Sequence, residues 1–211
     1  MFKKVLFSLA MLFGILGIAN YGNASLTFNY TALYGSGSAP AGVTPWLTAT
    51  FTTFGTNLVR LTIATPGLTG GEFVSDMYFN IEPFVTLGFN RVSGSYPTYP
   101  TADITTGPNF RKADGDGRFD ILFAFSTAES SRFTTSLSVT YDIAGSGITE
   151  DSFHYLSSPS GGSGPFYTAA HIQGINASPN SGWVTTPIPA AGWLLASGLI
   201  GLVIIRRRGK K

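Results

Sequence analysis

The feature that most constrains the fold is an alternation of side chains with a period of two, beginning at Arg132. One set of alternate positions is largely apolar or aromatic: Phe133, Thr135, Leu137, Val139, Tyr141 and Ile143. The positions between them are polar: Thr134, Ser136, Ser138, Thr140 and Asp142. Because successive side chains of a β-strand point to opposite faces, this pattern predicts a strand with one face buried.

Shorter segments show the same period. They lie at residues 26–30, 47–51, 59–63, 73–81 and 119–125, with weaker examples at 153–156 and 166–172. Clusters of Gly, Pro, Ser and Asn separate these segments, as is typical of turns. Many short strands without helical patterns between them favour antiparallel pairing, and two packed sheets cover more apolar surface than one. We therefore expect an all-β fold, an antiparallel β-sandwich of the jelly-roll type.

The composition agrees with a single β domain. The 211 residues include 26 glycines and 12 prolines, 14% are aromatic, and none is cysteine. A chain that keeps about 160 residues after losing both ends can bury enough apolar surface to fold without disulfides. The absence of cysteine also excludes a thiol nucleophile.

The N-terminus has the pattern of a signal peptide. Lys3 and Lys4 precede an apolar stretch at residues 5–19, and small residues follow up to Ala24. We expect residues 1–24 to direct export through the Sec machinery, with signal peptidase cutting between Ala24 and Ser25. The remaining body then has six basic and eleven acidic residues, a formal charge of −5. The basic character of the whole chain belongs to its ends and is no argument for nucleic-acid binding.

The C-terminus has the pattern of a single transmembrane helix. Residues 190–205 carry no charge, and as a helix they would be about 24 Å long, slightly less than the roughly 30 Å hydrocarbon core. The basic residues Arg206, Arg207 and Arg208 follow directly and predict a stop-transfer signal on the cytoplasmic side. Both ends therefore predict that the body lies outside the inner membrane.

The motif at the start of this tail resembles a known class of sorting signal. Pro187, Ile188, Pro189 and Ala190 precede an apolar helix dotted with small residues and an arginine cluster at the extreme C-terminus. This order is similar to the PEP-CTERM class of tails, with Ile188 at the position of the usual central glutamate. The resemblance implies a Gram-negative bacterium, processing near the Pro-x-Pro motif by an exosortase, a membrane protease, and association with extracellular polysaccharide and biofilm matrix.

These observations predict four segments: a signal peptide (1–24), a β-sandwich domain (25–175), a linker (176–186) and a C-terminal sorting signal (187–211). We expect a non-enzymatic protein that is anchored transiently and then reaches the cell surface or medium. Three alternatives remain open: a carbohydrate- or calcium-dependent binding module, a stably anchored surface protein, and a glycan-active enzyme with paired carboxylates in a cleft.

The densest polar cluster is the stretch ADGDGRFD at residues 113–120. Asp114, Asp116 and Asp120 alternate with glycines as in the opening of an oxygen-ligand Ca²⁺ loop, although the glutamate expected at the twelfth position is Phe125. The competing interpretation is a tight turn, because Asp-Gly is a favoured turn pair. No cofactor other than this Ca²⁺ is predicted.

Other catalytic signatures are missing from the sequence. His154 and His171 lack the spacing of a metal site, and no Gly-x-Ser-x-Gly elbow occurs. Tyrosines in or near loops are candidates for stacking on sugar rings: Tyr96, Tyr99, Tyr155 and Tyr167. The sequence therefore predicts no catalytic residue.

Overall fold

The computed structural model describes residues 24–95, 102–114 and 116–187. Twelve strands lie in these ranges: β1 (Ser25–Tyr30), β2 (Ala32–Tyr34), β3 (Leu47–Gly55), β4 (Leu58–Ala64), β5 (Phe73–Phe79), β6 (Gly88–Gly94), β7 (Asp103–Ala113), β8 (Asp116–Ala124), β9 (Phe133–Thr134), β10 (Ser138–Ala144), β11 (Thr168–Gln173) and β12 (Ser181–Thr185). Two single-turn 3-10 helices, Glu129–Ser131 and Glu150–Phe153, complete the described elements. No helix in these ranges is both long and apolar enough to cross a bilayer.

The strands form two antiparallel sheets. The first sheet has the order β1-β3-β4-β10-β6, and the second has the order β2-β12-β11-β5-β8-β7, with β9 added beside β5. Every pair of neighbouring strands is antiparallel. The prediction of an all-β, antiparallel sandwich is therefore confirmed.

Aromatic rings from both sheets meet in the main core. Phe51 of β3 packs edge-to-face on Phe79 of β5, with ring centroids 5.2 Å apart. Phe153 stacks on the same Phe51 at 4.2 Å, and Tyr141 of β10 contacts Phe123 of β8 at 5.2 Å. Burial of the alternate apolar side chains of both inner faces is the main force that holds two such sheets together.

The second sheet is also covered on its outer face. A smaller cluster of buried side chains lies there: Tyr34, Tyr78, Ala113, Phe119, Phe166 and Ala169. Phe166 reaches it from the segment before β11, and its ring lies 4.5 Å from that of Tyr34. The central strand β5 is consequently buried on both faces, and only Asp76 within it is partly exposed.

The predicted linker at residues 176–186 is wrong, because it contains β12. This strand lies between β2 and β11 and is hydrogen-bonded to both. Its local composition is that of a loop, since Asn, Ser, Pro and Gly surround a short apolar pair, Trp183 and Val184. Pairing with two neighbours, rather than local propensity, makes it a strand. The β domain therefore extends to Thr185.

Two further strand predictions are corrected. The segment predicted as a strand at 153–156 is not one: Phe153 ends the 3-10 helix Glu150–Phe153, and residues 154–156 are irregular. The first turn of this helix carries a capping box formed by Thr149 and Ser152. The long strand predicted from residue 133 to 143 is broken at Ser136, which has a positive φ of 56°. This break allows β9 to pair with β5 in the second sheet while β10 pairs with β4 in the first.

The contact between the sheets gives a direct stability prediction. Phe51→Ala removes a fully buried ring and should lower the free energy of unfolding by about 3–5 kcal/mol, because it leaves a cavity in the core. The matched control is Phe54→Ala on the same strand, where the ring is 50% exposed and the expected loss is below about 1 kcal/mol. Urea unfolding of the domain at residues 25–187 measures both, and equal losses would contradict this account of the core.

The position of β12 gives a second prediction. A chain that ends at residue 180 should lose cooperative unfolding, because β2 would have no neighbour and β11 would have an open edge. A chain that ends at residue 187 is the control and should unfold in one transition. Thermal unfolding followed by circular dichroism distinguishes the two, and a cooperative transition in the shorter chain would show that β12 is dispensable.

Candidate functional site

The Asp114 region forms a β-hairpin between β7 and β8. Ala113 pairs with Asp116, and Asp114 lies in a turn directly after β7. Asp114 has a φ of 49°, the left-handed conformation that two-residue hairpin turns require. The turn interpretation of this motif is confirmed.

The three predicted calcium ligands do not form one group. In the described part of the chain, no set of three or more His, Asp or Glu side chains is placed to hold a metal ion. Asp120 has other partners, because its carboxylate oxygens accept the backbone N–H groups of Ile81, at 3.0 Å, and Asn109, at 2.7 Å. These bonds tie together the segment after β5, the strand β7 and the middle of β8.

Asp120 lies at a cleft of about 500 Å³, which we call the edge cleft. It is lined by Asn80, Ile81, Glu82, Phe84, Pro108, Asn109, Asp120, Tyr155, Leu156, Ser157, Ser158 and Pro159. Asn80 fixes one wall, because its side-chain amide donates to the carbonyl oxygens of Tyr155, at 3.1 Å, and Tyr167, at 3.2 Å. Hydrogen bonds therefore connect the four segments that line the cleft, which are residues 80–84, 108–109, 120 and 155–159.

Apolar side chains gather at the mouth of this cleft. Phe84 is 39% exposed, Tyr155 is 46% exposed and Leu156 is 43% exposed. Seven large apolar side chains are exposed among the described residues, and these three of the seven line the same cleft. Such clustering marks a binding surface more often than a scattered arrangement does. The polar groups beside them are the carboxylates of Glu82 and Asp120 and the side chain of Asn109.

His171 has a serine and an aspartate beside it, which are the residue types of a Ser-His-Asp catalytic triad, but their arrangement differs from that of a triad. Ser75 Oγ lies 3.0 Å from Nδ1 of His171, and Asp76 Oδ2 lies 3.7 Å from the same nitrogen. A catalytic relay needs the acid and the nucleophile on opposite nitrogens of the ring, so this geometry does not provide one. The imidazole instead stacks on Trp183, with ring centroids 4.5 Å apart.

The other histidine and tyrosine candidates lie at separate places. His154 is exposed and packs against Tyr167 at 4.6 Å, at a smaller pocket of about 220 Å³ that also includes Pro187. Tyr155 lies at the edge cleft, whereas Tyr96 and Tyr99 are outside the described residues. Of these candidates, the structure brings Tyr155 together with a predicted site aspartate, Asp120.

The predicted processing sites lie at the two ends of the described chain. Ser25 is the first residue of β1, and the carbonyl oxygen of Ala24 accepts the backbone N–H of Thr53 at 3.3 Å. Pro187 is exposed and is the second residue after β12. Ile188, Pro189, Ala190 and the basic residues Arg206, Arg207 and Arg208 lie outside the described residues, as does the predicted transmembrane helix.

Sequence reasoning missed Phe84, Asn80 and Asn109 as parts of a site. Glu82 and Phe84 follow β5 in a stretch without period-two alternation, and Asn109 lies in β7, an exposed strand with no apolar pattern. Asn109 has a positive φ of 51°, which a sequence does not display. The aromatic residue two positions after Glu82 was the one available signal.

Comparison with known proteins identifies no family for this chain. No family model matches it, and no curated protein matches its sequence. Among solved structures, a biomass-sensing module from an RsgI-like protein of Clostridium thermocellum, described as resembling the family 3 carbohydrate-binding module of the cellulosome, is similar. The match has 10% sequence identity and a TM-score of 0.33, and covers 79% of this chain and 98% of that one. A score this low supports no conclusion about function.

Proposed function

We propose that the β-sandwich is a non-catalytic carbohydrate-binding domain of an exported protein, and that the edge cleft binds the sugar. The observation that carries this proposal is the combination of exposed Phe84 and Tyr155 rings with a fixed carboxylate, Asp120, in one cleft. Binding sites of this kind join apolar area with a few polar groups in set positions.

Sugar rings match this combination chemically. A pyranose presents an apolar face of C–H groups, which packs on an aromatic ring, and a rim of hydroxyls, which need hydrogen-bond partners. Tyr155 and Phe84 supply the apolar area, and Tyr155 adds a hydroxyl. The Asp120 oxygens, the Glu82 carboxylate and the Asn109 amide supply acceptors and donors. The volume of about 500 Å³ is within the usual range for small-ligand sites.

We assign the cleft to binding rather than to catalysis because of the surroundings of Asp120. Glycoside hydrolysis needs one carboxyl group that transfers a proton and a second that acts as base or nucleophile. Asp120 is held in place by two backbone N–H groups and is only 8% exposed, which suits an acceptor for sugar hydroxyls. Glu82 is the other carboxylate that lines the cleft, and it is exposed.

Export and sorting complete the proposal. The signal peptide would deliver the chain across the inner membrane, and the tail would anchor it until an exosortase-like protease acts near Pro187. The last described strand, β12, ends at Thr185, so that cutting near Pro187 would leave both sheets complete. The mature protein would then meet extracellular polysaccharide, the partner class that the cleft suits.

The sugar-binding proposal predicts that Tyr155→Ala and Phe84→Ala each weaken polysaccharide binding about tenfold or more. Loss of one stacked ring removes roughly 1.4 kcal/mol or more of contact energy. Affinity gel electrophoresis of the domain with a panel of soluble neutral and acidic polysaccharides measures the change. Phe54→Ala removes an exposed ring away from the cleft and should bind normally. Absence of binding to the whole panel, or unchanged affinity in both variants, would overturn the proposal.

The sorting proposal predicts a change in mature mass. In the native organism, a Pro187→Ala, Pro189→Ala double variant should stay membrane-bound and keep its tail, because the prolines favour the extended backbone that a protease cleft binds. Intact-mass measurement of protein from cells and medium tests this. A mature mass that matches the processed wild type, apart from the two substitutions, would rule out the motif assignment.

A further inference from the structure

The hairpin between β7 and β8 carries two carboxylates without a cationic partner. Asp116 is 5% exposed, and Asp114, on the other side of the turn, is exposed. The salt bridges of Arg60 with Asp142 and of His171 with Asp76 involve neither of them. Among the described residues, neither hairpin carboxylate forms a salt bridge with a basic side chain. A carboxylate as buried as Asp116 costs free energy unless a positive charge or hydrogen bonds compensate it.

A buried hydroxyl lies beside these carboxylates and has no partner. Tyr34 is 6% exposed, and its hydroxyl makes no hydrogen bond. Gly35, the next residue, leaves no room for a Cβ atom, because a carboxylate oxygen of Asp114 occupies that space. Burial raises the pKa of Tyr34, and the nearby charges of Asp114 and then Asp116 raise it further. The carboxylate of Asp114 therefore lies directly against the residue that follows Tyr34.

The loop at residues 157–162 lies against Asp116 of the hairpin. Gly162 also leaves no room for a Cβ atom, because Asp116 Oδ1 occupies that space. Ser160, two residues earlier, has a buried hydroxyl that makes no hydrogen bond either. The basic side chain of Lys112 contacts this loop and not the carboxylates, because its Nζ donates to the carbonyl oxygen of Ser160 at 3.5 Å. Two unsatisfied hydroxyls and two unpaired carboxylates thus lie around one corner, and all of these groups are oxygen ligands.

We propose that this corner, formed by Asp114, Asp116, Tyr34 and Ser160, is a binding site for Ca²⁺. Calcium takes six to eight oxygen ligands, including carboxylates, carbonyl groups and water, and tolerates irregular geometry. The two carboxylates supply the compensating charge, and the loop backbone and water complete the coordination. The site differs from the calcium loop predicted from sequence, because Asp120 belongs to the edge cleft and Tyr34 joins the site from a distant strand.

The site has a consequence for the edge cleft. Ser157 and Ser158 line the cleft, and they belong to the same loop that covers Asp116. Ser158 also exchanges backbone hydrogen bonds with Arg118 of β8, at 2.8 and 3.0 Å. A cation held by the hairpin and this loop would stiffen one wall of the cleft. Calcium binding itself does not require that the cleft binds sugar.

The test compares thermal unfolding of the full chain, purified in detergent and treated with EDTA, before and after addition of millimolar CaCl₂. We expect calcium to raise Tm by about 5 °C, as a ligand present at about a hundred times its dissociation constant does for a domain of this size. Asp116→Asn and Asp114→Asn should each abolish the rise. Asp103→Asn, an exposed carboxylate at the start of β7, is the matched control and should keep it.

A second measurement uses Tb³⁺, which takes oxygen ligands as Ca²⁺ does and luminesces when a nearby tyrosine or tryptophan is excited. Wild-type chain should give a signal that excess Ca²⁺ displaces, and Tyr34→Phe should weaken it. If Asp116→Asn does not fold, Asp114→Asn decides, because Asp114 is exposed. Absence of both a Tm rise and a luminescence signal would overturn the proposal. A rise that persists in Asp114→Asn, or an equal rise with Mg²⁺, would do the same. Neither measurement involves a polysaccharide, so the outcome is separate from that of the sugar-binding proposal.

Discussion

The packing of Phe51 against Phe79 holds the two sheets together, and the rest of the structure depends on it. Phe51 lies in the first sheet and contacts both Phe79 of the central strand β5 and Phe153. Asn80 and Ile81 follow Phe79 directly and form part of the edge cleft. A polar site placed one residue beyond a fully buried ring takes its rigidity from the core, because a close-packed interior permits little local movement.

The sequence predicted strands that bury at least one face, and it missed β12, whose composition is that of a loop, and strands that are mostly exposed. β1, β3, β4 and β10 each carry alternate apolar residues, and burial of that face is what the period reports. β6 and β7 are edge strands whose residues are mostly exposed on both faces. They are strands because β6 is hydrogen-bonded to β10 and β7 to β8, and this pairing cannot be read from a single sequence.

In the candidate sites, too, local features could be predicted from the sequence and partners distant in the sequence could not. The Asp-Gly pair at residues 114 and 115 predicted a turn correctly, because a two-residue turn is a local property of the chain. The partners of Asp120 could not be predicted, since one of them is the backbone N–H of Ile81, 39 positions away. Tyr34 approaches the hairpin from β2, and nothing near it in the sequence indicates that neighbour. Local motifs identified the polar residues, and the topology of the sheets decided their partners.

The interior position of β12 has a consequence for the order in which the chain folds. The second sheet is not continuous until Ser181–Thr185 enters between β2 and β11. The strand β2 therefore cannot join this sheet before β12 has been synthesised. Domains emerge from synthesis N-terminus first, and one that is closed by its final strand cannot finish folding early. A nascent chain of this design leaves β2 without a neighbour in its sheet, and one edge of β11 unpaired, until Ser181–Thr185 has been made.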